Sequence, residues 1–467
     1  MNFEGAVYTL FKTIQKYYIY DTNINTIREV SYETYLILHK MLKNKNIIPN
    51  DEIIELFNLG FLHPFSVKIL EHPQTENIEV QLGRNLQRLI LQVTQKCNLR
   101  CNYCPYSQKN NLNRKHDNRT MSLPIAKKSI DFFYNHSLDS ESVELNFYGG
   151  EPLLNFDLIK DSTLYFDNLF YGKNRIYGFT TNGTIFNKNI LDFLDKYNFH
   201  ITISLDGPEY IHDSNRKFHK SNQGTFFIVF ENIQFIHRFY PKLFKNMQIN
   251  TVMDPKNDYQ SYQRLLTDYT LLSSVNFSTT IIEDAFLDNK NIYNSEFNLQ
   301  REYFSFLTFL HLSELLDLSS ELKLLKSYQE ILLNLENMLN FHNVLSEKSV
   351  PAGPCLAGQL RLTVNVNGKL LPCEKISESV DDNYIGDIKN GFIFEHIKKI
   401  INISQNTEDL CKNCFAFRFC GICINSCIHG LNDINNKIIV CKQRKNQILN
   451  QLIEITFINE IKRRNEK

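Results

Sequence analysis

The stretch Cys97-Asn-Leu-Arg-Cys101-Asn-Tyr-Cys104 follows directly on an apolar run, Leu89-Ile90-Leu91-Gln92-Val93-Thr94. A short apolar run of this kind reads as a buried strand, which puts the three cysteines in the loop at its C-terminal end. Three residues separate the first pair and two the second. Three thiolates on one loop can hold three irons of a four-iron cluster and leave the fourth open to a substrate or cosubstrate. The competing reading is a zinc knuckle, which needs a fourth Cys or His close by. His116 is the nearest, in a polar loop without ligand spacing.

Working outward, the pattern from about 88 to 285 alternates strands and helices. Strands are expected at Leu89–Thr94, Val143–Tyr148, Arg175–Thr181, His200–Leu205, Met247–Met253 and Val275–Ile282. Ser122-Leu123-Pro124 opens a helix with a capping serine and an early proline, and further helices start near Asn155 and Asn187. Such alternation gives parallel strands joined by right-handed crossovers, here an α/β partial (β/α)6 TIM-like barrel. Function in such folds collects at the C-terminal ends of the strands.

Residues 1–82 read as a separate small domain. Strands at 6–11, 17–20 and 26–30 precede a helix capped by Ser31, with Tyr35, Leu38, Met41 and Leu42 on one face. A second helix is capped by Asn50 and stopped at Gly60. Residues 286–350 lack strand patterns and read as a helical bridge, with 322–339 helical. Pro351-Ala352-Gly353-Pro354 marks a boundary before a cysteine-rich region, 351–442. A C-terminal helix is expected over 443–467.

The 467 residues are 43% apolar and 22% charged with a net charge of zero, which suits two to four globular domains. Balanced charge argues against nucleic-acid binding as the main task. No run approaches the ~18 apolar residues that span a bilayer. Glu4 stands where an export signal wants basic residues, so the chain reads as cytoplasmic. In that compartment 11 cysteines point to metal binding rather than disulfides. Open clusters are destroyed by oxygen, which points to an anaerobe.

The loop CNLRCNYC after a first strand is similar to the cluster loop of the radical S-adenosylmethionine superfamily, and Tyr103 fits the aromatic that family places before its third cysteine. The resemblance implies that Cys97, Cys101 and Cys104 hold a 4Fe-4S cluster whose open iron binds S-adenosylmethionine. One-electron cleavage of that cofactor gives a 5′-deoxyadenosyl radical, which removes hydrogen from an unactivated C–H bond. Phe147-Tyr148-Gly149-Gly150-Glu151-Pro152 matches the family's GGEP motif, which holds the methionine amino group; two glycines also let a ligand approach the backbone. Asn182, Ser204 and Arg216 are further cofactor-binding candidates, Ser204 for the ribose and Arg216 for the carboxylate. Turn capping is the alternative for each, and Asp206 reads as support for the turn before Gly207.

Cys355, Gly368 and Cys373, then Cys411-x2-Cys414-x5-Cys420-x2-Cys423-x3-Cys427 and Cys441, resemble the SPASM extension with its two auxiliary clusters. The usual pattern has three residues between its third and fourth clustered cysteines; this chain has two, then an extra cysteine at 427. Three four-iron clusters offer twelve positions, less one for S-adenosylmethionine, and the chain has 11 cysteines. The resemblance puts Cys355, Cys373, Cys423 and Cys427 on an inner cluster and Cys411, Cys414, Cys420 and Cys441 on an outer one. An inner cluster with three ligands and an open iron is the alternative, as are two zinc sites. Glu374, next to Cys373, is a candidate catalytic acceptor of a substrate proton.

The first 82 residues resemble the winged-helix-like (RRE/PqqD-like) modules that hold leader peptides as an added strand; a structural cap is the other reading. The three parts together resemble maturases of ribosomally made peptides. Pro354-Cys355-Leu356-Ala357-Gly358-Gln359, Pro372-Cys373-Glu374-Lys375 and Ile385-Gly386-Asp387-Ile388 look most like the branch that forms thioethers in cysteine-rich peptides. The expected partners are a precursor peptide, its leader bound by residues 1–82, and an electron donor such as flavodoxin or ferredoxin, with no nucleic acid or membrane. Alternatives are a C–C crosslink, epimerisation or formylglycine-type oxidation and, outside enzymes, a metal-stapled peptide-binding scaffold.

Overall fold

The computed structural model describes residues 3–43, 47–107, 114–282, 294–317, 323–341, 343–352, 355–427, 430–431 and 433–465. Gly353 and Pro354 of the expected boundary, and Leu322 at the expected start of a bridge helix, lie outside the described residues.

Strands β1 (Tyr8–Lys12), β2 (Tyr17–Asp21) and β3 (Thr26–Val30) form an antiparallel sheet in that order. Asp21 shapes the β2–β3 turn by accepting from the amides of Asn23 and Ile24. Ser31 caps α1 (Tyr32–Met41) and Asn50 caps α2 (Asp51–Asn58), each accepting from the amide three residues on. The two faces of the sheet enter different cores. Ile19 and Val30 pack with Leu38, Ile53 and Leu56, and Phe11, Tyr18 and Tyr20 pack against Leu332, Ile448 and Leu452. Strand alternation produces this division.

The module's own core ends at Leu62. Beyond it come β4 (Ile69–Leu70) and α3 (Ile78–Arg84). The first domain expected over residues 1–82 includes Ile78 and Leu82 of this helix. In the structure Ile78 and Leu82, one helical turn apart, enter the core of the large sheet instead.

That sheet begins with β5 (Arg88–Thr94), β6 (Ser142–Gly149), β7 (Asn174–Thr181), β8 (His200–Ser204), β9 (Met247–Met253) and β10 (Asn276–Ile281). They are the six expected strands, each within one residue at either end, and all pair in parallel. The intervening helices are α4 (Leu123–Asn135), α5 (Phe156–Leu169), α6 (Lys188–Lys196), α7 (Glu209–Asn215), α8 (Phe226–Phe239), α9 (Pro241–Lys245) and α10 (Tyr259–Asp268). Val143, Leu145 and Phe147 of β6 join the core with Phe133 and Phe166 of α4 and α5. The alternate residues Glu144, Asn146 and Tyr148 line a cavity on the opposite face. The helices therefore cover one face, and the cavity lies on the other.

The bridge supplies α11 (Ser295–Leu312) and α12 (Lys326–Leu339), and then β11 (Lys348–Ser349) pairs with β4. The cysteine-rich region, expected to be poor in regular elements, extends the large sheet. β12 (Leu362–Val364) pairs in parallel with β5, and β13 (Lys369–Leu371), β14 (Gly386–Asp387) and β15 (Gly391–Phe392) follow antiparallel. Among the described residues this sheet has ten strands, ordered β10-β9-β8-β7-β6-β5-β12-β13-β14-β15. Strands of two or three residues are too short to show a period, which is why the sequence hides them.

Two short helices, α13 (Phe394–Ile401) and α14 (Glu408–Lys412), precede α15 (Ile434–Asn465). The last starts well before the expected Gln443, so Cys441 lies on a helix. Its first turn is polar in sequence, but Lys437 is buried there, its ammonium donating to Ile403 O at 2.5 Å and Thr407 Oγ1 at 2.8 Å. Among the described residues no helix is long and apolar enough to cross a membrane.

The N-terminal module is fastened to the cysteine-rich region by a buried arginine. Arg418 donates to Thr22 O and Asn23 O, each at 2.7 Å, and Thr22 Oγ1 donates to Phe415 O at 3.1 Å. Glu460 of α15 accepts from Thr13 and Tyr18 at 2.7 and 2.6 Å. Arg418→Met should weaken this docking by about 3 kcal/mol, since hydrogen bonds to a buried charge are lost. Hydrogen exchange should accelerate over residues 17–30 and stay unchanged over 88–94.

Candidate functional site

The loop carrying Cys97, Cys101 and Cys104 is held on two sides. The segment after α7 pairs with it: Arg100 N donates to Lys217 O at 3.0 Å, Asn102 N to Asn215 O at 3.1 Å, and His219 N to Asn98 O at 2.8 Å. From below, Gly150 N donates to Thr94 O at 2.9 Å and Glu151 N to Lys96 O at 2.8 Å. A Cβ on Gly149, whose φ is 146°, would stand 2.0 Å from Thr94 O; one on Gly150 would stand 2.0 Å from Lys96 O. The glycines are thus required by the contact between strand end and cysteine loop.

Glu151 is fully buried, and burial raises its pKa against the pull of its hydrogen bonds. Its Oε1 accepts from Leu153 N at 3.1 Å and Thr181 Oγ1 at 2.8 Å, and its Oε2 from Asn182 N at 2.7 Å. One lone pair on Oε2 remains. Pro152 opens a short 3-10 turn behind it. Asn182 directs its side chain at the loop, donating to Asn98 Oδ1 at 2.8 Å and accepting from Thr184. Ser204 ends β8 and shares the parity of His200 and Thr202, which line the cavity.

Arg216 is buried, and its Nη1 donates to Tyr103 Oη at 2.6 Å. The Tyr103 hydroxyl in turn donates to Asp206 Oδ2. The Nε of Arg216 is buried without a hydrogen-bond partner. Burial pushes the Cys97 thiol up to about 11 and Cys101 up to about 12, with Arg216 and, at Cys97, the Leu99 amide opposing. Such thiols ionise only beside added positive charge, which bound iron supplies. Three thiols, a spare carboxylate lone pair and an orphaned guanidinium N–H suit an iron–sulfur cluster and a ligand with an ammonium and a carboxylate. His116 approaches too, its Nε2 3.8 Å from Cys104 Sγ. Among the described residues no group of three or more His, Cys, Asp or Glu could hold a single metal ion.

Residues 91–268, from β5 to α10, match the family described as the Radical SAM superfamily. The chain carries a radical SAM domain. Radical SAM domains bind S-adenosylmethionine and a 4Fe-4S cluster, and the Cys97 loop is the part of this one that fits the cluster. The radical SAM cyclopropyl synthase TigE of Paramaledivibacter caminithermalis is 24% identical over 85% of this chain and 84% of its own. The uncharacterised protein MJ0907 of Methanocaldococcus jannaschii is 36% identical over 30% of the chain, which spans 45% of that relative's length. Native anSMEcpe with bound AdoMet and Cp18Cys peptide has the same fold at a TM-score of 0.53 and 18% identity, covering 78% of this chain and 99% of its own.

The cavity of this radical SAM protein measures about 620 Å³. It is walled by Asn146, Tyr148, Thr180, Thr202 and Asn250, with Arg361 and Glu374 from the cysteine-rich region. Arg361 Nη1 donates to Glu374 Oε1 at 2.7 Å, and Glu374 Oε2 is buried without a hydrogen-bond partner. The sequence reading singles out Glu374 but not Arg361, whose pairing depends on β12 and β13 lying side by side.

The C-terminal cysteines fall into two groups. Cys411, Cys414, Cys420 and Cys441 line one cavity of about 140 Å³ with Lys442 and Lys445. Cys355, Cys373 and Cys423 lie within one another's electrostatic reach. Cys427 is buried, and Cys423 and Cys441 both add to the upward push on its thiol. Burial raises the thiols of Cys373, Cys420 and Cys427, each to about 11.

Gly150→Ala should displace Lys96 and Cys97 and empty the loop of about four irons per chain, the content of one cluster. Iron assay with circular dichroism checks this: the helical signal should persist while iron falls.

Proposed function

We propose that this radical SAM protein modifies a ribosomally made, cysteine-rich peptide by closing a bond between a cysteine sulfur and a carbon of another residue. The observation that carries the reading is the polar cavity running from Tyr148 and Thr180, at the strand ends, to Glu374 beside Cys373. When bound, the cluster and S-adenosylmethionine supply hydrogen-atom abstraction from a C–H bond. The spare lone pair of Glu151 suits the cofactor's ammonium, the Arg216 Nε its carboxylate, and Ser204 its ribose. Asn146, Thr202 and Asn250 offer a peptide backbone the donors and acceptors it loses on leaving water. Arg361 fixes one oxygen of Glu374, leaving Oε2 to take the proton that departs from the substrate thiol.

Each link removes two hydrogens from the peptide, one as an atom and one as a proton, and leaves one electron to be carried off. For that task we assign two auxiliary clusters. The inner uses Cys355, Cys373, Cys423 and Cys427; the outer uses Cys411, Cys414, Cys420 and Cys441. A flavodoxin or ferredoxin would exchange electrons with them. Among the described residues β3 of the N-terminal module has a sheet neighbour on one side, which suits a leader peptide added as a further strand. A second reading, carbon–carbon ring closure, is favoured by the likeness to a cyclopropyl synthase over most of the chain.

Incubation with the precursor and thiol alkylation separates the two. Thioether formation should consume one alkylatable thiol for every two hydrogens lost; ring closure at carbon would leave every thiol alkylatable. Glu374→Gln should lower link formation roughly 10²–10⁴-fold, the usual worth of a positioned base, while deoxyadenosine release continues. Anaerobically reconstituted protein should hold about twelve irons, against about eight when Cys97, Cys101 and Cys104 are all alanine.

A further inference from the structure

Asp206 has no part in the chemistry above, yet it is fully buried beside the cysteine loop. Its Oδ1 accepts from Val252 N at 3.1 Å, which fixes the carboxylate to β9. Its Oδ2 accepts the hydroxyl of Tyr103, the residue before Cys104, and stands 3.7 Å from Arg216 Nη1. Arg216 donates to the same hydroxyl at 2.6 Å. The result is an ion pair with side chains 8% and 0% exposed, bridged by a phenol. It ties together the cluster loop, the end of β8 and the end of α7.

We propose that Asp206 is a positioning residue that sets the reduction potential of the cluster held by Cys97, Cys101 and Cys104, by fixing the Arg216 guanidinium and offsetting its charge. The inference rests on the radical SAM assignment and goes beyond it. Cluster potentials follow the net charge and hydrogen bonding around the sulfurs. Reduction adds one negative charge; a buried cation favours it and a buried anion opposes it, both strongly where water is excluded. Arg216 is a cation close enough to act on both Cys97 and Cys101. Left alone it would pull the potential up. Asp206 offsets that pull, and Tyr103 keeps the guanidinium from turning away.

The test is a redox titration of the reconstituted full-length protein followed by electron paramagnetic resonance. The signal is assigned by its loss when Cys97, Cys101 and Cys104 are replaced by alanine. Asp206→Asn should favour reduction about tenfold, a rise of ~59 mV for one electron. Tyr103→Phe leaves all charges in place and should shift the potential less. Arg216→Lys should stay near the parent, whereas Arg216→Gln should fall below it. A cluster-loaded Asp206→Asn protein with the parent potential would overturn the proposal. If that variant does not load, the Arg216 pair decides, and equal potentials for Lys and Gln would overturn it. A parent protein without any cluster signal would instead strike at the radical SAM assignment itself.

Discussion

Backbone meeting backbone without room for a methyl group is the constraint on which the site depends. At Gly149 and Gly150 the end of β6 lies directly against the carbonyls of Thr94 and Lys96. That contact fixes where the cysteine loop leaves β5. It also aims Glu151 down between β6 and β7, where it gathers the Thr181 hydroxyl and the Asn182 amide. A carboxylate buried this deeply is tolerable only with such donors. Once the glycines are in place, the loop, the carboxylate and the neighbouring strand end have one mutual arrangement. The pairing of residues 215–219 with the loop then closes the other side.

The continuation of the sheet through β12 has the larger functional effect. Because β12 pairs in parallel with β5, the cysteine-rich region adds to the wall of the cavity. The turn after β13 thereby brings Glu374 and Lys375 to the side of the sheet where Tyr148 and Thr180 stand. The parallel strands and the turn that follows Cys373 so border one cavity.

Much of this was legible in the sequence, for reasons that can be named. The six parallel strands are long enough to show their buried runs, and Ser31 and Asn50 announce helices because a short hydrogen-bonding side chain satisfies the first free amides. The cysteine spacing marked the loop after β5, and Cys411, Cys414, Cys420 and Cys441, grouped by resemblance, share one cavity. Hidden features depended on distant pairing. β12 to β15 are too short for a period. Ile78 and Leu82 could have served either core. The sequence reading set Asp206 down as turn support, because its partners Tyr103 and Arg216 come from other elements. The reading of Asn182 as a ligand did not foresee its bond to Asn98, which exists only once the loop folds back over β7.

The way the N-terminal sheet is covered bears on how the chain is made. Phe11, Tyr18 and Tyr20 find their partners in Leu332, Phe419, Ile448 and Ile458, and the turn at Thr22 waits for Arg418. A ribosome adding about 5–20 residues per second needs tens of seconds to reach those positions. Throughout that interval one aromatic face of the first three strands stays uncovered. This sheet is therefore synthesised long before it can be completed, and one of its faces waits for residues more than three hundred positions further on.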